Sequence, residues 1–343
     1  MKESALQHLV CPETLRPLRL DIVEASGDDI IEGKLAGLDD AEYPIHGGIP
    51  SFVSEDTLQT QTVRSFAQKW AKHGYYRTHT NKFYTDWYLQ RYGFYEMSGL
   101  GRFLDGMEFI LDAGTGTGRD AANFAEHSAA TVFGVDTARE ALEAALRDVC
   151  HARVAVVHAD INRLPFPDAF FDFISCDQVI HHAPDPREAF ENLRRKLKRG
   201  GRICCYVYRK KAAIREFTDD YIRQSISGLP IDEALEVCEG ITRLGRTLAN
   251  LNVTVDIEED IPAVGITKGK VDLQRFFHWN VMKCFWNDEF DFFTNNIVNF
   301  DWYHPEYCFR FEPGEFGAWF ADGWEIEAWD VREAGISCRA RKV

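Results

Sequence analysis

FILDAGTGTGRD, residues 109–120, places an apolar run before an acidic residue and three alternating glycines. A helix-like spacing of apolar residues follows over 121–125. This order is typical of a strand, a tight turn and a helix. Glycine adopts positive φ without strain and leaves the backbone bare, and the first turn of a helix offers unpaired N–H groups. We therefore expect a small, partly polar ligand to bind at this turn.

The spacing of the glycines distinguishes two classes of ligand. A dinucleotide-binding turn has the pattern G-x-G-x-x-G, which brings the helix N-terminus to a pyrophosphate. Here the pattern is G-x-G-x-G, followed by Arg119. It resembles motif I of the class I S-adenosylmethionine-dependent methyltransferases, whose cofactor carries no phosphate. The resemblance implies cofactor contacts at Asp112, Gly114, Thr115, Gly116 and Gly118.

An acidic residue also ends the next predicted strand, TVFGVD over 131–136. A carboxylate at this point can accept hydrogen bonds from both hydroxyls of a ribose, and dinucleotide-binding enzymes share the feature. Asp136 and the adjacent Thr137 therefore predict a ligand that contains adenosine, without naming it.

The segment ADINRLPFPDAFFD, residues 159–172, separates the two ligand classes. It is similar to the D-x-x-x-LPF-x-D-x-x-FD element of type 11 methyltransferases, which include enzymes like those of quinone biosynthesis. In that family the Asp meets the adenine amine and the next residue packs on the ring. The resemblance implies these roles for Asp160 and Ile161, and a further cofactor contact at Asp177 after the next strand.

Strand-like and helix-like segments alternate through this region, which requires right-handed crossovers and a mainly parallel sheet covered on both faces. Two β-like runs, 324–331 and 335–341, end the chain. We expect an α/β, Rossmann-like, doubly wound sheet of seven mainly parallel strands, with an antiparallel last strand. Ligands bind at the carboxyl ends of such strands. The predicted cofactor residues at those ends are Gly114, Gly116, Asp136, Asp160 and Asp177.

His181 and His182 follow the fourth strand of this core, at a position suited to a general base. Methyl transfer from a sulfonium is an in-line displacement that needs a positioned acceptor and a route for the acceptor's proton, where there is one. Neutral imidazole titrates in the useful range, so either histidine is a candidate catalytic residue. The alternative is that the pair holds its loop by hydrogen bonds. A metal ion held by this pair and Asp185 is a further alternative. We predict no metal, because the sequence does not specify the ligand geometry that such a site requires.

The chain divides into five predicted parts. These are a small zinc-ribbon-like unit (1–53), an aromatic helical lid segment (54–106), the S-adenosylmethionine-binding core (107–208), a substrate cap inserted after the fifth strand (209–311), and the last helix and terminal β-hairpin of the core (312–343). The aromatic residues of the second part fall at helical spacing, so core packing is the alternative to a lid.

The N-terminal part combines Cys11-Pro12 with a later Tyr43-Pro44-Ile45 element. It resembles the small zinc-ribbon-like domain that also occurs as an activator subunit of several RNA and protein methyltransferases. In its zinc-bearing members a second cysteine follows closely and another pair comes before the Tyr-Pro-Ile element, whereas Glu13-Thr14 stand here and no later pair exists. A structural zinc ion needs four N or S ligands, so we predict a degenerate, metal-free β-rich unit that packs on the core.

An aromatic and polar block, 274–287, lies in the predicted helical cap, with Leu273, Phe277, Val281 and Cys284 on one helical face. Polar groups among so many rings need partners, which a substrate or internal hydrogen bonds could supply. The candidates for acceptor binding are Tyr206 and Tyr208 at the end of strand five, with Gln274, Arg275, His278, Asn280, Lys283 and Trp286.

Charge and cysteine content limit the partners and the location. A formal net charge of −15 makes a nucleic-acid partner unlikely, because phosphate binding needs a basic surface. The nine cysteines include no C-x-x-C pair, which is typical of reduced cysteine in the cytosol. No secretory segment or run of transmembrane length occurs, so we expect a cytoplasmic protein without a membrane partner. The oligomeric state is left open.

Three functions are compatible with these motifs. The first is a methyltransferase that uses S-adenosylmethionine as cofactor and a small molecule as acceptor. The second keeps the cofactor but cyclises or cleaves the sulfonium, or acts on RNA. The third is a non-catalytic S-adenosylmethionine-binding protein.

Purified protein is expected to carry no stoichiometric zinc, because Cys11 lacks the partner cysteines of a ribbon site. Elemental analysis of the protein, with its buffer as the blank, measures this directly. One zinc equivalent per chain would contradict the metal-free assignment of residues 1–53.

Overall fold

A computed structural model describes residues 1–38, 41–54, 57, 60–72, 76–149 and 151–343, and gives only the backbone for 68, 70–72 and 76–79. The predicted aromatic stripe of the lid segment therefore lies in part outside the described residues, at Tyr75 and at the side chains of Trp70 and Tyr76. Two compact units make up the chain. The core unit contains residues 1–207, 313–331 and 336–343, and the inserted unit contains 208–312 and 332–335.

Strands and helices alternate mainly within residues 109–209. The strands are β1 (Arg19–Ser26), β2 (Asp29–Ala36), β3 (Glu42–His46), β4 (Ile49–Pro50), β5 (Phe109–Ala113), β6 (Thr131–Asp136), β7 (Val154–His158), β8 (Phe171–Cys176), β9 (Leu197–Arg209), β10 (Thr254–Ile257), β11 (Gly269–Asp272), β12 (Arg310–Phe311), β13 (Trp324–Val331) and β14 (Gly335–Lys342). The helices are α1 (Glu3–Leu6), α2 (Gln61–Lys72), α3 (Tyr76–Arg91), α4 (Met97–Leu104), α5 (Arg119–Glu126), α6 (Arg139–Val149), α7 (Pro186–Lys196), α8 (Ala213–Ile226), α9 (Ile231–Asn250), α10 (Leu273–Asn280), α11 (Phe292–Tyr303) and α12 (Pro313–Gly317).

The central sheet has the strand order β13-β14-β9-β8-β5-β6-β7. Strands β5 to β9 pair in parallel, and β13 and β14 pair antiparallel at one edge. The parallel strands are almost wholly buried and apolar, as expected for a sheet covered by helices on both faces. The predicted α/β, mainly parallel sheet is confirmed, including its antiparallel end.

The pattern of residues 187–199, followed by Gly200-Gly201, predicts a helix that runs to Arg199 and ends in a glycine turn. In the structure the helix ends at Lys196, and Gly200-Gly201 lie inside β9. The reason is an irregularity in the pairing with β8: Phe171 pairs with Leu197, but Phe173 pairs with Arg202. Gly200, at φ +79°, provides the positive φ that this bulge requires.

The N-terminal residues form a separate antiparallel sheet, β1-β2-β3-β4, that packs on the core. Ser51 bridges His158 in parallel at the end of β7, and its hydroxyl lies 2.8 Å from Nδ1 of that histidine. Ile49 packs with buried residues of α6 and β7. The small sheet thereby covers the free edge of the central sheet.

Cys11, in the connection between α1 and β1, is buried, and its Sγ lies 3.3 Å from the hydroxyl of Tyr43 in β3. Across the described ranges, no group of three or more His, Cys, Asp or Glu side chains is arranged to hold a metal ion. The metal-free assignment stays a prediction for elemental analysis to test.

The inserted unit contains α8 to α11 and a hairpin, β10 and β11, that the sequence did not predict. Apolar residues of α8, α9 and α11 form its core, among them Ile226, Cys238 and Phe300. Its β12 pairs in parallel with the last two residues of β9. None of the helices in the described ranges is long and apolar enough to cross a bilayer.

The aromatic and polar block departs from the predicted helix. Helix α10 ends at Asn280, and its buried side chains are Gln274 and His278 rather than the predicted face that begins with Leu273 and Phe277. Asparagine side chains explain why the helix ends at Asn280, because they form hydrogen bonds with the backbone of the residues that follow. Asn299 accepts from the N–H of Phe285 at 2.7 Å, and Asn295 accepts from that of Asn287 at 2.7 Å.

Gly114→Ala is expected to destabilise the fold by at least about 2 kcal/mol. Gly114 has φ +79°, and an added Cβ would lie 2.2 Å from Cγ2 of Val179. Chemical denaturation measures the free energy of unfolding. Gly228→Ala is the control, since its added Cβ would meet nothing within 4 Å. Equal stability of the two variants would contradict the close approach at Gly114.

Candidate functional site

The glycine turn after β5 is the base of the candidate site. Gly114, Gly116 and Gly118 all have positive φ, and Gly118 caps the N-terminus of α5. The N–H of Gly114 donates to the carbonyl of Val135 at 2.7 Å, which holds the turn against β6. A Cβ on Gly118 would lie 2.7 Å from Cγ2 of Val149, so glycine here lets α5 pack closely on α6. The turn therefore places backbone without side chains at the carboxyl end of β5, next to β6.

Asp112 lies beneath this turn. Its Oδ2 accepts from the hydroxyl of Thr115 at 2.6 Å and from the N–H of Ala121 at 3.1 Å. Burial, followed by the nearby Asp120 carboxylate, raises the pKa of Asp112 to about 8. Of the predicted cofactor residues, Asp112 and Thr115 thus bond to each other and join β5 to the first turn of α5.

Asp136 connects the glycine turn to the next strand. Its Oδ2 accepts from the N–H of Gly116 and its Oδ1 from the N–H of Ala138, both at 2.8 Å. Burial raises the pKa of Asp136, although these backbone N–H groups oppose the shift. The carbonyl of the neighbouring Thr137 lies 3.0 Å from Nε2 of His158. The structure therefore fixes the predicted ribose-binding carboxylate beside the bare backbone of the turn.

Asp160 and Ile161 lie in the loop after β7. The preceding Ala159 donates its N–H to the carbonyl of Asp136 at 3.1 Å, which brings this loop next to the Asp136 loop. Oδ1 of Asp160 accepts from the backbone N–H and the side-chain Nδ2 of Asn162, at 2.8 and 2.9 Å. Ile161 is buried. The structure thus brings the predicted adenine residues to the same edge as Asp136.

Asp177, at the end of β8, has protein partners that the sequence did not reveal. It forms an ion pair with Arg91 of α3, and its Oδ1 accepts from the hydroxyl of Tyr92 at 2.8 Å. The side chains of Asp177 and Arg91 are 2% and 1% exposed. Burial raises the pKa of Asp177, and the Arg91 guanidinium opposes that shift. The pair joins the aromatic helical segment to the carboxyl end of β8.

Arg91 lies among aromatic rings. Its guanidinium carbon is 3.9 Å from the ring centroid of Trp87 and 4.8 Å from that of Tyr206. Its Nε and Nη1 donate to no acceptor in the part of the chain that the structure describes. Arg91 follows Trp87 by four residues on one helix, a spacing that could have indicated their contact but not the ion pair with Asp177.

The predicted histidine pair lies on a short turn, Ile180–His182, beside this cluster. His181 is fully buried, and its ring centroid lies 4.4 Å from that of His182 and 5.9 Å from that of Tyr206. His182 is half-buried, with its ring 5.1 Å from Phe66 of α2. Of the two candidate bases, His182 is the more accessible.

The predicted acceptor residues fall in both compact units. Tyr206 belongs to the core unit, whereas the inserted unit contains Tyr208, Gln274, Arg275, His278, Asn280, Lys283 and Trp286. Several have internal partners: Gln274 donates to the carbonyl of Cys284 at 2.8 Å, and Trp286 donates to Asp288 at 2.7 Å. Arg275 is exposed, while His278 and Lys283 are buried.

Known proteins resemble the segment that contains this site. Residues 111–205 match the sequence family described as a methyltransferase domain. The chain is 39% identical to demethylmenaquinone methyltransferase of Clavibacter sepedonicus over 97 residues, 28% of this chain and 39% of that protein. It is 33% identical to 27-O-demethylrifamycin SV methyltransferase of Amycolatopsis mediterranei over 98 residues, 27% of this chain and 36% of that protein.

A solved structure, an S-adenosylmethionine-dependent methyltransferase from Mesorhizobium loti, aligns with 72% of this chain and 100% of its own at 15% identity and a TM-score of 0.41. The chain spans less than two fifths of the length of the Amycolatopsis relative and 39% of the Clavibacter one.

Asp177→Asn is expected to lower the free energy of unfolding by at least about 3 kcal/mol, because it leaves the buried Arg91 cation without its counter-charge. Glu325→Gln is the control. It breaks a surface pair with Arg341, and the exposed position limits the loss to less than about 1 kcal/mol. Denaturant titration measures both variants, and a similar small loss for both would mean that the Arg91 pair is not buried in solution.

Proposed function

We propose that this chain catalyses the reaction of the family that residues 111–205 match. As its sequence predicts, the chain belongs through these residues to the class I S-adenosylmethionine-dependent methyltransferases, and its cofactor is S-adenosylmethionine. The reaction is transfer of the cofactor's methyl group to a small-molecule acceptor by in-line displacement. The observation that carries the proposal is the contact between Gly116 and Asp136, which puts a carboxylate beside bare backbone at the carboxyl ends of β5 and β6.

The residues at this edge fit the cofactor. Each oxygen of the Asp136 carboxylate accepts one backbone N–H and keeps capacity for another donor, so the side chain can accept from two ribose hydroxyls. Asp160 and Ile161 would take the adenine amine and the adenine face. Thr115 directs its hydroxyl to Asp112, which leaves the backbone of the turn for the cofactor. When bound, S-adenosylmethionine supplies a methyl group on a positively charged sulfur.

The aromatic helical segment would close over this edge. Phe66 of α2 lies against His182. Burial raises the pKa of Asp136, and the ammonium of Lys69, also on α2, is among the groups near enough to lower it. The position of α2 beside His182 and near Asp136 favours a lid role for residues 54–106 over packing alone.

His182 is the better candidate for the general base. It can take a proton from an acceptor hydroxyl as the new bond forms, or from an acceptor ammonium before the freed amine attacks. The fully buried His181 would hold the turn and the orientation of its neighbour. Tyr206, packed on His181, would help to shape the acceptor side. Residues 209–311 would select the acceptor.

A small molecule is the acceptor class that the chain favours. The two relatives above are named for demethylmenaquinone and 27-O-demethylrifamycin SV. The net charge of −15 opposes binding to RNA or DNA. The eight cysteines within the described residues are free and buried, which suits a reducing, cytoplasmic location.

Calorimetric titration of the full chain with S-adenosylmethionine, S-adenosylhomocysteine and NADH tests the cofactor. Binding of the first two alone is expected. Incubation with acceptor mixtures, followed by mass spectrometry, is expected to show products heavier by one methyl group. Methylthioadenosine without a methylated product would instead indicate cyclisation, and cofactor binding without any product would indicate a non-catalytic protein.

Asp136→Ala is expected to weaken S-adenosylmethionine binding by roughly a hundredfold, since two charge-assisted hydrogen bonds to the ribose are lost. Calorimetry gives the dissociation constant, and thermal unfolding checks that the turn still folds. Asp148→Ala on α6, where the carboxylate pairs with exposed Arg147, is the control and should bind normally. Unchanged affinity of Asp136→Ala would remove Asp136 from the site.

A further inference from the structure

A buried carboxylate in the inserted unit has its acceptor capacity filled. Asp219 of α8 is 1% exposed. Its Oδ2 accepts from Nε of Arg215 at 3.0 Å and from Nε1 of Trp302 at 2.8 Å. Its Oδ1 accepts from the backbone N–H of Lys283 and from the hydroxyl of Tyr303, both at 2.9 Å. A carboxylate offers about four acceptor positions, so no further cation can bond to Asp219.

Two cations beside Asp219 nevertheless have donors to spare. The Arg215 side chain is 1% exposed, and its Nη1 has no acceptor among the described residues. Nζ of Lys283 lies 4.8 Å from the ring centroid of Trp302, and the described residues provide it with neither an ion pair nor a hydrogen bond. Lys283 is only 9% exposed. Buried charges are normally paired, because water is lost from around them.

Further polar groups lie beside Trp302 and the neighbouring ring of Trp279. His278 is 2% exposed, its ring lies 4.5 Å from that of Trp279, and its Nδ1 has no partner in the described part of the chain. Lys211 donates from Nζ to two backbone carbonyls and lies 5.6 Å from the Trp302 centroid. The Arg215 guanidinium carbon lies 5.2 Å from the centroids of both tryptophans. The unpaired groups therefore converge on one pair of indole rings.

The charges at this point do not balance within the cluster. Arg215, Lys211 and Lys283 lie together, and the Asp219 carboxylate already pairs with Arg215. Two other carboxylates act from farther away, Glu216 on Lys211 and Asp301 on Lys283, and Glu216 pairs with Arg310. Burial and then the Arg215 cation lower the pKa of Lys283 to about 8, although Cys308, Asp301 and Asp219 oppose the shift. Contacts with the tryptophan faces compensate part of the desolvation of these cations, but such contacts are weaker than an ion pair out of water. An anion would complete the site.

We propose that Arg215, His278 and Lys283 of the inserted unit bind the oxyanion of a small ligand, a carboxylate or a phosphate group, against Trp279 and Trp302. The ligand is therefore a small acid. Arg215 would donate from its free Nη1 and Lys283 from Nζ, while neutral His278 would donate from one ring nitrogen. The two indole rings favour an aromatic or planar body next to the acidic group.

Simple aromatic acids test the proposal on the full chain. Benzoate and phenyl phosphate carry the two oxyanions, and benzamide has the shape of benzoate without its charge. Tryptophan fluorescence and calorimetry measure binding. We expect at least one of the two anions to bind at least about tenfold more tightly than benzamide. Preference for benzoate or for phenyl phosphate identifies the oxyanion, whereas equal binding of benzamide, or no binding of either anion, overturns the proposal.

Lys283→Met removes the charge while the chain length and the backbone N–H to Asp219 remain. It is expected to weaken binding of the preferred anion by at least about tenfold with little change in thermal stability. Lys270→Met is the matched control, because Lys270 lies on β11 of the same unit with its side chain 75% exposed. Equal anion affinity of the two variants would overturn the assignment of Lys283.

Titration of the same samples with S-adenosylmethionine separates this inference from the proposed function. Normal cofactor binding without an effect of Lys283→Met on anion binding would reject the anion site alone. Anion binding that depends on Lys283 in a protein that binds no S-adenosylmethionine would reject the methyltransferase proposal and keep the anion site.

Discussion

The candidate cofactor site depends on a close approach that only glycine permits. Gly114 brings the chain out of β5 at φ +79°, against Val179 of the loop after β8. A side chain there would separate the two loops, and with them the turn that presents Gly116 to Asp136. Because residues from three strands meet at this edge, a small displacement of one loop would disturb contacts made by all of them.

A buried ion pair then holds helix α3 beside the candidate site. Removing Arg91 and Asp177 from water is unfavourable, and an ion pair formed there offsets this only when hydrogen bonds satisfy the remaining groups. Tyr92 and Gln178 supply such bonds to the carboxylate. The rings of Trp87 and Tyr206 cover the guanidinium. Helix α3 is thus fixed to the end of β8 by a buried ion pair, whereas a helix that only covers the sheet would pack through apolar contacts alone.

The sequence predicts local features of this protein better than distant pairs. The glycine turn, Asp136 and the alternation of strand and helix follow from patterns within a few residues, and the structure reproduces them. Arg91 and Asp177 are 86 residues apart, and Asp219 and Trp302 are 83 apart, so no local pattern indicates that they meet. The end of α10 was predicted wrongly for a related reason. Hydrophobic spacing predicts a longer helix with Leu273 on its buried face, whereas the helix ends at Asn280 and Gln274 is buried. The distant Asn299 pairs the backbone beyond that end.

Those asparagines also explain how the inserted unit can hold a polar interior in one conformation. Asn295 and Asn299 of α11 bond to both donors and acceptors of the non-helical chain after Asn280, and Asn299 also donates to Thr242 of α9 at 2.9 Å. If that segment moved, the buried amide groups would lose their hydrogen-bond partners. The free-energy cost of leaving them unpaired disfavours other conformations more strongly than the loss of an apolar contact would. The segment so fixed includes Lys283, whose N–H is bonded to Asp219. The amides hold the backbone around Lys283 in place, while the described residues leave donors on the Arg215 and Lys283 side chains free, an arrangement that suits the binding of an anion.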